Sequence, residues 1–184
     1  MALTATIYTF TVDLADADRG TYETLELRVA RHPSESEEYL VTRVLAYCLQ
    51  YTAGIEFSNG ISDPDGPALA VRDLTGTIHV WIDIGLPDPD RLHKASKASS
   101  RVVVYTHKDP AQWLRQLEGT RIHRADTIEF YRIDRDLVAA LVGRLTRRMG
   151  FGLSVSDQHM LIAADDGTIE GAVTRLSLGR SGLR

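Results

Sequence analysis

A single cysteine, Cys48, stands in a chain of 184 residues, which excludes a disulfide framework and a cysteine-rich zinc centre. No run of ~18 apolar residues occurs, and no basic stretch leads into an apolar one at the N-terminus. Neither a membrane span nor a secretion signal is therefore expected, and the cytoplasm is the expected location. Internal repeats, low-complexity tracts and Pro/Gly/Ser-rich linkers are also missing. At a length near that of one ordinary domain, about 150 residues, the expectation is a single domain over 1–184. Such a domain buries roughly 70% of its unfolded surface and needs no metal or disulfide staple. There is no Gly-rich phosphate loop, no G-x-S-x-G elbow and no zinc signature, and His32, His79, His93, His107, His123 and His159 lack ligand spacing.

What is present is an uneven charge. The net charge is −4, yet residues 1–90 carry 15 acids against 5 Lys or Arg (−10), and residues 91–184 carry 10 against 16 (+6). Interleaved on folding, these charges mean little. Segregated, they set an acidic cluster beside a basic surface, which suits a cation together with a phosphate.

Periodicity orders the elements as ββ-α-βββ-α-β-α-β-α-ββ. Tyr8, Phe10, Val12 and Leu14 share one face, as do Leu25, Leu27 and Val29, so the chain opens with a long hairpin turning through the acidic loop Asp16–Gly20. Ser34-Glu35-Ser36-Glu37 reads as a capping box for a helix reaching about Tyr51, with Leu40, Val41, Val44, Leu45 and Cys48 on its apolar face. A short strand over 53–57 and a loop over 58–67 precede a second hairpin, 68–73 with 77–85, turning near Thr75-Gly76. Asp88-Pro89 starts the next helix, and a buried strand spans 101–106. A short helix over 110–117 and a strand over 127–133 follow. A helix capped by Asp134 then runs through Leu145 with Gly150 beyond its end, and a hairpin over 153–176 turns at Asp166-Gly167. The fold expected is a mixed α/β sheet with flanking helices and a β-hairpin at each end.

Candidate chemistry gathers between Pro64 and Lys97. The hairpin register sets residue 68 opposite Asp83, which brings Asp65 to the same end, within roughly 10 Å at a rise of ~3.3 Å per residue. Glu35 or Glu38 from the first helix could join them, giving two or three carboxylates for Mg²⁺ or Mn²⁺. Lys94 and Lys97, three apart on a helix, share a face, and with Arg91 and Arg101 they bring positive charge beside the acids. Carboxylates that hold a metal, and a lysine that offsets developing charge, make up a phosphoryl-transfer site. Each residue also has a plainer reading. Glu37 serves the cap, Glu35 suits a helix start, and Glu38, Lys94 and Lys97 suit a solvated face. Asp65 is ordinary turn chemistry, and Arg144, Arg147 and Arg148 suit a helix end. Asp83 resists this treatment, since an acid inside Val80-Trp81-Ile82-Asp83-Ile84 must be paired or bound if that face is covered.

Pro64-Asp65 followed by Asp83-Ile84-Gly85 resembles the metal-binding motif of the PD-(D/E)-x-K nuclease superfamily. Four longer blocks resemble the YaeQ family: His32-Pro33-Ser34-Glu35-Ser36, Pro64-Asp65-Gly66-Pro67-Ala68-Leu69, Trp81-Ile82-Asp83-Ile84-Gly85, and Pro87-Asp88 through Arg91-Leu92-His93-Lys94-Ala95. The likeness spans most of the chain, from the first hairpin past Thr106. It implies a restriction-endonuclease-like fold, with Asp65 and Asp83 as metal ligands and Glu35 or Glu38 as the helix carboxylate. Gly85 stands where the motif lysine belongs, so Lys94 or Lys97 would have to supply that charge. Two functions stay open on these grounds. One is a metal-dependent nuclease acting on nucleic acid; the other is a non-catalytic member of the fold that binds nucleic acid or protein. A purely structural scaffold explains Asp83 less well.

Overall fold

In the computed structural model, which describes residues 4–58 and 63–179, ten strands form one sheet. The elements are β1 (Thr6–Asp16), β2 (Thr21–Arg31), α1 (Glu37–Leu49), β3 (Ile55–Phe57), β4 (Leu69–Arg72), β5 (Ile78–Ile84), α2 (Pro89–Ala98) and β6 (Arg101–Thr106). They continue with α3 (Ala111–Glu118), β7 (Glu129–Ile133), α4 (Arg135–Val142), β8 (Arg148–Ser156), β9 (His159–Ala164) and β10 (Gly167–Leu176). The strand order is β2-β1-β8-β9-β10-β7-β6-β5-β4-β3. β5, β6 and β7 run parallel, as do β1 and β8, and the other pairs are antiparallel.

The sheet curls nearly closed around α1. The buried faces of β1, β2, β8, β9 and β10 meet α1 and α4 in one apolar core that also takes Ile82, Val103 and Tyr105. α1 consequently buries residues on every side, and each large apolar chain it removes from water contributes about 1.5–3 kcal/mol. α2 and α3 cover the other face of β5–β7 through Trp81, Leu92, Val102, Val104, Trp113 and Phe130. α4 lies directly on β10, where a Cβ at Gly171 would meet Asp134 and Leu137 at 2.9 Å.

Several expectations hold in detail. Leu69 stands opposite Ile82, on the register that pairs Ala68 with Asp83. Asp88 caps α2, accepting from the Arg91 N–H at 2.8 Å, with Pro89 at the first helical position. Asp134 caps α4 through the Asp136 N–H.

Others are corrected. The cap of α1 is Ser36, which accepts from the Tyr39 N–H, while Ser34 bonds His32 instead. α1 and α4 stop earlier than expected, at Leu49 and Val142, and Leu145 lies past the helix. Gly150 does not follow a helix end but sits within β8. The alternation Phe151, Leu153, Val155 starts a strand there because β1 offers it a parallel partner far away in sequence, pairing Val12 with Phe151. The C-terminal region is thus three strands, not a hairpin. Its extra turn, Asp157-Gln158, has two positive φ angles (52° and 60°) without the Asn or Gly that usually marks one. The N-terminal hairpin β1–β2 forms as expected, and like β8–β10 it is continuous with the main sheet. Part of the expected loop over 58–67 lies outside the described residues.

Candidate functional site

β5 and β6 end side by side, and a cleft of about 350 Å³ opens at their carboxyl ends, between the start of α1 and the start of α2. Open α/β sheets bind ligands at such strand ends. Ser36 and Tyr39 enter the cleft from α1, Asp83 and Ile84 from β5, Arg91 from α2, and His107 and Lys108 from the segment after β6.

Alternation along β5 decides which way each side chain goes. Ile82 and Ile84 face α1, whereas Trp81 and Asp83 face α2. Asp83 is 1% exposed, and Arg91 meets it with both arms, Nε donating to Oδ2 and Nη2 to Oδ1, each at 2.8 Å. The same guanidinium donates to the carbonyls of Pro64 and Gly66, each at 2.7 Å, and lies 5.9 Å from the Trp81 ring centroid. The hydrogen bonds and charge of Asp83 raise the Arg91 pKa, against the effect of burial. Arg91 therefore ties the end of β5 to the loop before β4.

Asp65 reaches the same end of the hairpin, but at the surface. Its side chain is 87% exposed and accepts from Lys94 Nζ at 2.8 Å. That bond and the ammonium charge hold its carboxyl below the usual range. Lys97 lies exposed one turn further along α2.

The helix glutamates stand on the α1 side of the sheet. Glu35, 1% exposed, pairs with the fully buried Arg43 at 3.2 Å, and Arg43 also donates to the Ala30 carbonyl of β2. Burial lowers the Arg43 pKa. Arg43 sits 5.8 Å from the centroids of both the Tyr39 and Phe57 rings. Tyr39, between the Glu35–Arg43 and Asp83–Arg91 pairs, has its hydroxyl pushed up to about 12 by burial. Glu38 is half-buried near His107, which hydrogen-bonds Thr42 at 3.2 Å and whose pKa is lowered by burial, with the charge of Lys108 adding to the effect.

Three expected acids thus each face a cation: Glu35 with Arg43, Asp65 with Lys94, and Asp83 with Arg91. Asp65, Asp83 and Lys94 come to one end of the hairpin, whereas Glu35 belongs to a pair on the opposite sheet face. A divalent cation fits this donor set poorly. Both Asp83 oxygens are engaged by a guanidinium, and among the described residues no three of His, Cys, Asp and Glu cluster closely enough to hold a metal ion.

The sequence pattern of the family described as YaeQ protein matches residues 1–173. This chain belongs to the YaeQ family. It is 31% identical over 176 residues to the uncharacterized protein YaeQ of Escherichia coli K12, covering 95% of this chain and 97% of that one. The YaeQ protein of Salmonella typhi is 33% identical over 159 residues, covering 85% and 87%. Among solved structures, the YaeQ protein of Pseudomonas syringae superposes with a TM-score of 0.87 at 29% identity, covering 94% of this chain and 96% of that one. The Xanthomonas axonopodis pv. citri YaeQ protein gives 0.85 at 32% identity, covering 94% and 98%.

In this YaeQ chain the glycine two residues after Asp83 has a structural reason. Gly85 has φ +94°, and its N–H donates to the Tyr105 carbonyl at 2.8 Å. A residue with a Cβ would be strained there. Sequence reasoning missed Tyr39, His107 and Lys108 as cleft residues, because nothing local announces that the ends of α1 and β6 meet. Among the described residues no helix is long and apolar enough to cross a membrane.

Proposed function

We propose that this cleft is a phosphodiester-binding site on a restriction-endonuclease-like core, in which Arg91 fills the place that a divalent cation takes in a hydrolytic member. The observation that carries the reading is the two-armed Arg91–Asp83 contact anchored on the Pro64 and Gly66 carbonyls. A metal at Asp83 would displace a guanidinium that makes four hydrogen bonds, and an Arg–carboxylate fork of this kind is the strong form of the interaction. The protein would then hold a nucleic-acid backbone without cleaving it.

Lys94, Lys97 and Lys108 supply the attraction. Lys97 and Lys108 make no ion pair among the described residues, so a polyanion gains their charge without displacing an acid. Each phosphate contact of this type releases condensed counterions from the nucleic acid. The His107 imidazole and the Tyr39 hydroxyl add polar groups that can read a phosphate or sugar oxygen.

The test is fluorescence anisotropy with labelled DNA and RNA oligonucleotides across a salt series, beside calorimetric titration of Mg²⁺ and Mn²⁺ and a cleavage assay. Native protein binds with a steep salt dependence. The triple variant Lys94→Ala/Lys97→Ala/Lys108→Ala flattens the slope of log K against log salt by about 2–3 on duplex DNA. No metal heat and no cleavage accompany binding. Metal-dependent cleavage that disappears in Asp83→Ala would instead establish the nuclease. Failure to bind any oligonucleotide at low salt would end the nucleic-acid reading and leave a protein-binding module.

A further inference from the structure

At the opposite end of α1 lies a larger cavity, about 480 Å³, that the nucleic-acid reading does not use. Its size falls within the range of small-molecule sites, roughly 300–1,000 Å³. Leu49, Val155 and Val173 give it an apolar wall. Tyr105 and Tyr131, stacked on each other at 5.1 Å, form part of the rest. Arg175 lies 5.1 Å from the Tyr131 ring, and the Tyr105 hydroxyl accepts from Gln50 at 2.6 Å. This wall is therefore rigid.

The polar group that gives the cavity a chemistry is Asp16. It continues the buried stripe of β1 after Val12 and Leu14 and is 1% exposed. Its Oδ1 accepts from the Arg19 N–H at 3.2 Å, the Asp18 N–H adds a further backbone contact, and among the described residues no Lys, Arg or His forms an ion pair with it. Burial raises its pKa, outweighing the backbone N–H and the charge of Arg19, which pull it down.

The other charges at this end are committed. Both oxygens of Asp18 accept from the turn of β8–β9, from the Asp157 N–H at 2.7 Å and the Gln158 N–H at 2.9 Å. The Arg19 guanidinium caps the end of α1, donating to the Leu49 carbonyl at 3.0 Å and the Tyr51 carbonyl at 2.7 Å. Asp16, Asp18 and Asp157 outnumber that one cation in the lining, and the helix C-terminus adds its own partial negative charge. An anion is excluded on these grounds. A neutral ligand leaves the buried carboxylate uncompensated.

We propose that this cavity binds a small organic ammonium, whose charged group meets the Asp16 carboxylate and whose apolar body lies along Leu49, Val155 and Val173. Backbone-amide NMR titration tests this with three probes of similar size: 2-phenylethylammonium, 2-phenylethanol and 3-phenylpropanoate. The ammonium shifts the amides of Arg19, Asp157, Gln158 and Val173, and binds at least about tenfold more tightly than either other probe. Asp16→Asn, which keeps an oxygen for the Arg19 N–H, removes the preference. Val173→Phe, which fills the cavity, abolishes binding of all three. Equal binding of the alcohol and the ammonium, an undiminished preference in Asp16→Asn, or no shift at these amides in the native protein would each overturn the proposal. The probe comparison on native protein stands whether or not the variants fold.

Discussion

The two ends of α1 treat buried acid in opposite ways. At the N-terminal end, Asp83 and Glu35 are as buried as any core residue, and each faces a guanidinium, from Arg91 and Arg43. At the C-terminal end, Asp16 is equally buried and has a backbone N–H but no ion pair, while the nearby Arg19 serves the carbonyls of the helix. The pairing at the first end commits both carboxylates to guanidinium groups. The second end leaves one negative charge facing a cavity. Burial of a carboxylate thus has two meanings here, and the partner distinguishes them.

The contrast can be broken most strongly at Arg91. Arg91→Met keeps bulk near Trp81 but leaves the Asp83 charge buried without its cation. We expect a loss of about 2–3 kcal/mol in urea unfolding, below the ~3–5 of a fully buried pair because Arg91 is partly exposed. Adding Asp83→Asn to that variant should restore part of the loss. No loss would show that the N-terminal end is not held by its ion pair.

At the other end, Arg19→Ala removes two hydrogen bonds, from the carbonyls of Leu49 at the end of α1 and of Tyr51 just past it, an expected cost of about 1 kcal/mol by the same measurement. A smaller effect, of defined sign, belongs to Asp16→Asn. The folded carboxyl is raised above its unfolded value, so the native state binds the proton first, and the wild type gains stability as pH falls through the folded pKa. The Asn variant should therefore melt higher than wild type at neutral pH, and this advantage should vanish in acid. An advantage that grows in acid would contradict an unpaired, buried Asp16. The smallest effect is at the surface. Lys94→Ala should leave thermal stability unchanged, while NMR titration shows the Asp65 carboxyl rising toward its ordinary value.

Asp83 was legible because period-two alternation marks an acid on a covered strand face, and the hairpin register that brings Asp65 to its end followed from the turn near Gly76. Asp88-Pro89 announced α2 through cap chemistry that works within four residues. Asp16 carried the same alternation signal as Asp83, two places after Leu14, but its acidic neighbours made it read as turn. The rest depended on distant partners. Nothing near Arg91 says that Pro64 and Gly66 will offer it carbonyls, and nothing near Met149 or Phe151 says that β1 is waiting. Lys94 reached Asp65 as spacing on the helix suggested, whereas Glu35, just ahead of the α1 cap, was drawn into a pair with Arg43, a residue whose full burial no local pattern reveals.

The parallel seam that joins Thr9 to Arg148 sets the timetable of folding. β1 leaves the ribosome well before β8, the neighbour it meets across this seam. Until β8 arrives, the β1–β2 hairpin presents a long unpaired edge and an uncovered row of Phe10, Val12 and Leu14. Contacts of such sequence separation slow folding, so this chain should fold in the late, non-local regime and depend on chaperones during synthesis more than a helical protein of its length.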